Sequence, residues 1–124
     1  MTGYSVSIAY ASKELSAKER IQLKDTTSAL KLDEVTQTEP ICIIPTMYAE
    51  LDVHNDMSDN KDYKNYIIVG EDGKKYVTGS TSFWTSFMEI AKEMETETEE
   101  WAINVYRMPS KNYKGKEFIT CSIV

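Results

Sequence analysis

The sequence predicts a mainly-β domain with one helix, arranged as a five-stranded OB-fold barrel behind an N-terminal extension. Three observations carry this expectation. From Pro40 onward, apolar and polar residues alternate through one long interrupted strand and two further strands, the last two joined by Asp72-Gly73. Residues 82–95 then change to helical spacing. Residues 101–108 and 117–124 return to strand-like patterns on either side of a lysine-rich loop. The order strand, strand, strand, helix, strand, strand is that of an OB-fold, with its helix between strands three and four. Two regions follow: an N-terminal extension over 1–39 that packs on the barrel, and an OB-fold domain over 40–124.

In the extension, Tyr4 to Tyr10 alternates at period two and reads as a short strand or an extended arm. Ser16 and Glu19 have the capping-box spacing, which predicts a helix over about 16–25. Residues 29–35 fit helix and strand equally. Ile41 to Ile44, Pro45 and Met47 to Val53 form the long strand, with Pro45 at a bulge or an edge. Met47, Ala49, Leu51 and Val53 share one face, and Tyr48, Glu50, Asp52 and His54 the other. Residues 55–62 are a polar loop, Tyr63 to Val69 the next strand and Lys74 to Thr78 the third of a meander. Ser80, Thr81 and Ser82 offer N-caps to a helix whose Phe83, Trp84 and Phe87 are expected in the core. Trp101 shares a strand face with Ile103 and Val105 and is expected there too.

Composition narrows the function. At 124 residues the chain is long enough for one domain with an ordinary core. Its formal charge of −6 and pI near 4.8 argue against a generally basic nucleic-acid binder. The charge is unevenly spread. In residues 101–124, Arg107, Lys111, Lys114 and Lys116 face Glu117 alone, a net +3. In residues 80–100, Lys92 stands against six glutamates, a net −5. The N-terminus lacks a basic region followed by an apolar core, so no secretory signal is expected. No window approaches the ~18 apolar residues of a membrane span. Cys42 and Cys121 lie in apolar runs and are expected as free buried thiols in a cytoplasmic protein, or as a disulfide if their strands pair.

Catalysis and metal binding have no support. P-loop, GxGxxG and Ser/His/Asp signatures are absent, as is any CxxC, and His54 is the only histidine. Asp52, Asp56 and Asp59 lack EF-hand spacing. A non-enzyme without cofactor or metal is therefore expected, and His54 reads as a surface residue.

The segment from Tyr106 to Cys121, with Lys111, Tyr113, Lys114 and Lys116 in its loop, resembles the closing hairpin of a family of small binding proteins. These are the single-stranded-DNA-binding proteins of bacteriophages and of mobile elements in Gram-positive bacteria. The resemblance spans mainly residues 47–124 and rests on element order, length and this hairpin. It implies an OB-fold and non-enzymatic binding of single-stranded DNA in replication or recombination, inside the cytoplasm of a bacterial host, with replication or recombination proteins as partners. One departure stands out. Many bacterial single-strand binders carry a disordered acidic tail, whereas this sequence closes on Cys121-Ser122-Ile123-Val124 and has its acidic stretch at 95–100.

Single-strand binding needs cations for phosphates and aromatic faces for unpaired bases. Lys61, Lys64, Lys74, Lys75, Arg107, Lys111, Lys114 and Lys116 supply the first. Tyr48, Tyr63, Tyr66, Tyr76, Tyr106 and Tyr113 supply the second. In an OB-fold the ligand lies across strands two and three between two loops, which map here to 55–62 and 108–116. Each residue also has a plainer reading. The lysines of the hairpin also read as a solubilising tip, Tyr113 as a rim residue, and Tyr66 and Tyr76 as core. Two rival functions remain. One is an acidic protein-binding adaptor or DNA-mimic inhibitor of a DNA-processing enzyme; the other is a homo-oligomeric structural domain joined by opposite charges.

Overall fold

A computed structural model describes residues 3–110 and 115–124, and its eight strands form two sheets. The backbone of the long interrupted strand explains why there are two. Strand β3 (Ile41–Ile43) and strand β4 (Pro45–Asn55) are separated by Ile44 alone. Pro45 has no N–H to give to a ladder, and the register of β4 shifts between Pro45 and Met47. The break sends the two halves of one strand into different sheets. β3 pairs with β7 (Ile103–Pro109), which pairs with β8 (Glu117–Ile123). β4 pairs with β5 (Asp62–Gly70), and β5 with β6 (Lys75–Thr78), all antiparallel. Gly73 turns the β5–β6 connection with φ of +84°, a left-handed value that glycine adopts without steric cost.

The first 39 residues supply strands to this framework. β1 (Tyr4–Ala11) pairs antiparallel with β4, and β2 (Leu30–Lys31) pairs parallel with β6. The larger sheet therefore runs β1-β4-β5-β6-β2, and the smaller β3-β7-β8. Here the structure departs from the five-stranded barrel expected of the sequence. Closure needs the free edge of β6 to meet the last hairpin, but β2 occupies that edge, and no closed barrel forms among the described residues. The segment that fitted helix and strand equally is both: the two residues of β2 lead directly into the single turn of α2 (Leu32–Val35).

Both faces of the meander are buried. On one, Tyr66, Ile68 and Tyr76 join Ile43, Ile103, Val105, Ile119 and Cys121 of the smaller sheet around helix α3 (Thr81–Met94). The Ser80 hydroxyl caps α3 by accepting from the Phe83 N–H at 3.2 Å. Phe83, Trp84, Phe87 and Ala91 then recur on its buried side. Trp84 stacks on Tyr66 with centroids 4.9 Å apart and planes 16° from parallel. Trp101 packs at the margin of this core, 6.1 Å from the Phe87 ring.

On the other face, Ala49, Leu51, Val53 and Ile67 lie beneath α1 (Ala17–Lys24). This helix has the expected capping box: the Ser16 hydroxyl accepts from Glu19 N, and Glu19 Oε1 accepts from Ser16 N. The Ser16 backbone N–H and the nearby Lys13 ammonium hold the Glu19 carboxyl down at about 2. Leu23 is the only side chain α1 buries, at 1% exposure. At the opposite end, Lys75 donates to the carbonyls of Gln22 and Asp25, where cationic hydrogen bonds satisfy the last helical carbonyls. Among the described residues no helix is long and apolar enough to cross a membrane.

Because Leu23 is the single apolar anchor of α1, Leu23→Ala is expected to lower stability by about 2–5 kcal/mol. Lys75→Ala should cost less, since it removes hydrogen bonds near solvent. Urea denaturation reads both, and an unchanged midpoint for Leu23→Ala would show that α1 does not seal this face.

Candidate nucleic-acid interface

The smaller sheet turns one face to the core and the other outward. Ile103 and Val105 of β7, with Ile119 and Cys121 of β8, point inward. Alternation therefore turns Asn104, Tyr106 and Met108 outward, together with Phe118, Thr120 and Ser122. Register makes these a continuous surface: Met108 lies opposite Phe118, Tyr106 opposite Thr120, and Asn104 between Ser122 and Cys42. Met108 and Phe118 are 42% and 40% exposed. The Tyr106 hydroxyl reaches diagonally to Ser122 Oγ at 2.6 Å, which fixes the ring across the face. Tyr106 and Phe118 are thus offset along the hairpin by one strand repeat of two residues, with the Tyr106 ring directed toward Ser122 and away from Phe118.

Ser110, Gly115 and Lys116 of the β7–β8 connection follow the Met108–Phe118 pair. Ser110 N donates to the Lys116 carbonyl at 2.8 Å, and Gly115 takes a φ of +79°. Lys116 is exposed. Lys111, Tyr113 and Lys114 lie outside the described residues.

The remaining sequence candidates are dispersed. Tyr66 and Tyr76, with 3% and 7% exposure, are core residues, and neither ring has a free face for a base. Tyr48 is half-buried with its ring edge-on to Phe87 at 5.0 Å, and burial followed by the charges of Tyr10 and Glu95 raises its pKa. Tyr63 packs partly buried against the second core. Arg107 follows Tyr106 in the strand and so points to the opposite face; its guanidinium donates to the Asp33 carbonyl of α2 and lies 3.9 Å from Glu117. Tyr106 and Arg107 cannot therefore serve one ligand on the outer face. Lys64 donates to Glu50 and Asp52, both at 2.7 Å, and these bonds hold its pKa above the usual lysine range. Lys61 and Lys74 are exposed in separate turns.

The expected groove across β5 and β6 is also not open. α1 covers the face of these strands that turns away from the α3 core, and Lys75 serves as its C-terminal clamp. The 55–62 loop carries Asp56, Asp59 and Asp62 against Lys61, a net −2 that repels phosphate. Sequence reasoning missed Phe118 and Met108. Their signal was the alternation of Phe118, Thr120 and Ser122 against Ile119 and Cys121, hidden when residues 117–124 are taken as one apolar run.

The cysteines differ from expectation as well. Cys121 is buried, which pushes its thiol up to about 11, but Cys42 is exposed on the outer face. β7 separates their strands and the two side chains point to opposite faces, so they do not form a disulfide.

His54 is a surface residue with two carboxylate partners: Nδ1 lies 2.7 Å from Asp62 and Nε2 2.8 Å from Asp56. Among the described residues no three His, Cys, Asp or Glu side chains converge as a metal site. Comparisons with protein-family models, with curated proteins and with solved structures find no match.

The hydrogen bonds to Asp62 and then Asp56 raise the His54 pKa. A raised value in the folded state stabilises the protonated form, so this contribution is complete below the unfolded value of about 6.5 and disappears as pH rises through the higher folded value. NMR titration of the His54 ring is expected to give a midpoint above 6.5, and Asp62→Asn should lower it. A midpoint unmoved by that substitution would break the assignment.

Proposed function

We propose that this protein binds single-stranded DNA with little sequence preference, through the outer face of β7 and β8 and the lysines of the loop between them. The observation that carries this reading is the pair of outward-facing aromatic residues, half-buried Tyr106 and exposed Phe118, on one sheet face in a segment of net positive charge. Flat aromatic faces accept any unpaired base, and lysines meet phosphates without reading sequence. The rest of the molecule supports the same orientation. With a net charge of −6 concentrated elsewhere, a polyanion is repelled from most approaches and admitted at the hairpin. The strand shared between sheets, the meander, the helix and the final hairpin support an OB-like framework, opened at β6 by β2. On this reading the protein is non-enzymatic and acts in replication or recombination of a bacteriophage or mobile element, in the cytoplasm of its bacterial host.

The site differs from the one expected of the sequence. It keeps Tyr106, Lys111, Tyr113, Lys114 and Lys116, adds Phe118 and Met108, and gives up Tyr48, Lys61, Lys64, Tyr66, Lys74, Tyr76 and Arg107.

Titration with labelled oligo-dT tests the reading. Phe118→Ala and Tyr106→Ala should each weaken binding by about 1–3 kcal/mol, which is roughly 5- to 150-fold. Replacing Lys111, Lys114 and Lys116 with Ala should weaken all sequences alike and flatten the salt dependence. Tyr66→Phe, which preserves the buried ring, should bind as the parent does. An absence of oligonucleotide binding at low salt would reject the proposal and favour the acidic adaptor.

A further inference from the structure

The surface between α3 and the β1–β4 side of the larger sheet is independent of the DNA face. A cavity of about 580 Å³ opens there between Trp84, Met88, Glu89 and Glu95 on the helix and Tyr10 and Glu50 on the strands. A second of about 250 Å³ continues along the helix to Met94, Glu97 and Trp101, sharing Glu95 with the first. Together they make one groove parallel to α3. From Trp84 to Met94 the helix rises about 15 Å, the length of a short peptide segment.

The groove arises from unequal coverage of one sheet face. α3 packs on β8 and on Tyr66 of β5 and Tyr48 of β4, whose rings meet Trp84 and Phe87, and leaves most of β1 beside it exposed. Tyr10 is 43% exposed and stands opposite Glu50 in the register. The floor is thus aromatic and thioether in character, and methionine adapts to differing apolar shapes. The rim is anionic. Glu50 and Lys13 are already engaged, by Lys64 at 2.7 Å and by Glu19 at 2.9 Å. Glu89, Glu95 and Glu97 form no ion pair among the described residues, and the cations that line the two cavities with them are Lys92 and the Glu19-paired Lys13.

We infer that this groove docks a basic peptide segment of another protein, with an apolar or aromatic side chain seated against the exposed Tyr10 ring and Met88 and lysines or arginines on the glutamate rim. Charge complementarity selects the occupant, because nucleic acid is repelled by the same glutamates and an acidic peptide likewise. The ring and thioether floor supplies the anchor that a purely charged surface lacks.

The test uses the full chain and a ten-residue probe of lysines with one central tryptophan, alongside an all-lysine control and a glutamate-tryptophan control. The lysine-tryptophan probe is expected to shift the Trp84 indole and Met88 methyl NMR signals, and to bind at least about tenfold more tightly than either control. The double variant Glu89→Gln with Glu95→Gln should weaken this binding by about tenfold or more, while its melting temperature remains near the parent's and its oligo-dT affinity does not fall. Equal binding of the all-lysine control would overturn the proposal, since charge alone would then suffice. So would unchanged affinity in the double variant. Concentration-dependent shifts of the same signals without any probe would overturn it in favour of a second copy of this chain as occupant.

Discussion

The missing N–H of Pro45 is the constraint on which the rest of the molecule depends. A continuous strand from Ile41 to Asn55 would extend one sheet; the interrupted strand instead pairs with β7 before the break and with β5 after it. The two sheets are thereby bound to a common backbone and held face to face, leaving a space that α3 fills with Phe83, Trp84 and Phe87. The outward face of β7 and β8 is a product of the same geometry. Since the inner face of the hairpin is consumed by the core, its alternate residues turn outward, where Tyr106 meets Ser122.

Much of this architecture was legible in the sequence because local patterns agreed with tertiary demands. The capping box at Ser16, the Asp72-Gly73 turn and the periodicity of α3 each describe a local requirement that the fold keeps. The failures share one cause. Tyr66 and Tyr76 sit in a meander buried on both faces, and alternation is informative only when one face meets water. A two-residue parallel strand such as β2 has no periodicity to read, yet it decides whether the barrel closes. The candidate site was misread for a related reason. Lysine and tyrosine mark a nucleic-acid surface only when free, and sequence does not show that Lys64 is held by Glu50 and Asp52 or that Arg107 is turned toward α2.

The charge distribution follows the same division of labour. Carboxylates gather in the sequence along α3, the following turn and the 55–62 loop, while residues 101–124 carry four cations against one carboxylate. A net charge of −6 would otherwise be a poor setting for a polyanion ligand, but screening at physiological salt limits each field to about 8 Å. Segments of opposite charge on a small domain can then act independently of one another.

The unequal environments of the two thiols have a practical consequence. Cys121 is shielded within the core and held in its neutral form, whereas Cys42 stands exposed on the outer sheet face, in one cross-strand row with Asn104 and Ser122. A thiol-selective alkylating reagent therefore meets a single accessible thiol in the native protein. A fluorophore or spin label attached there sits one row from Tyr106 without entering the core, so the unmodified sequence already carries a site-selective reporter beside its open face.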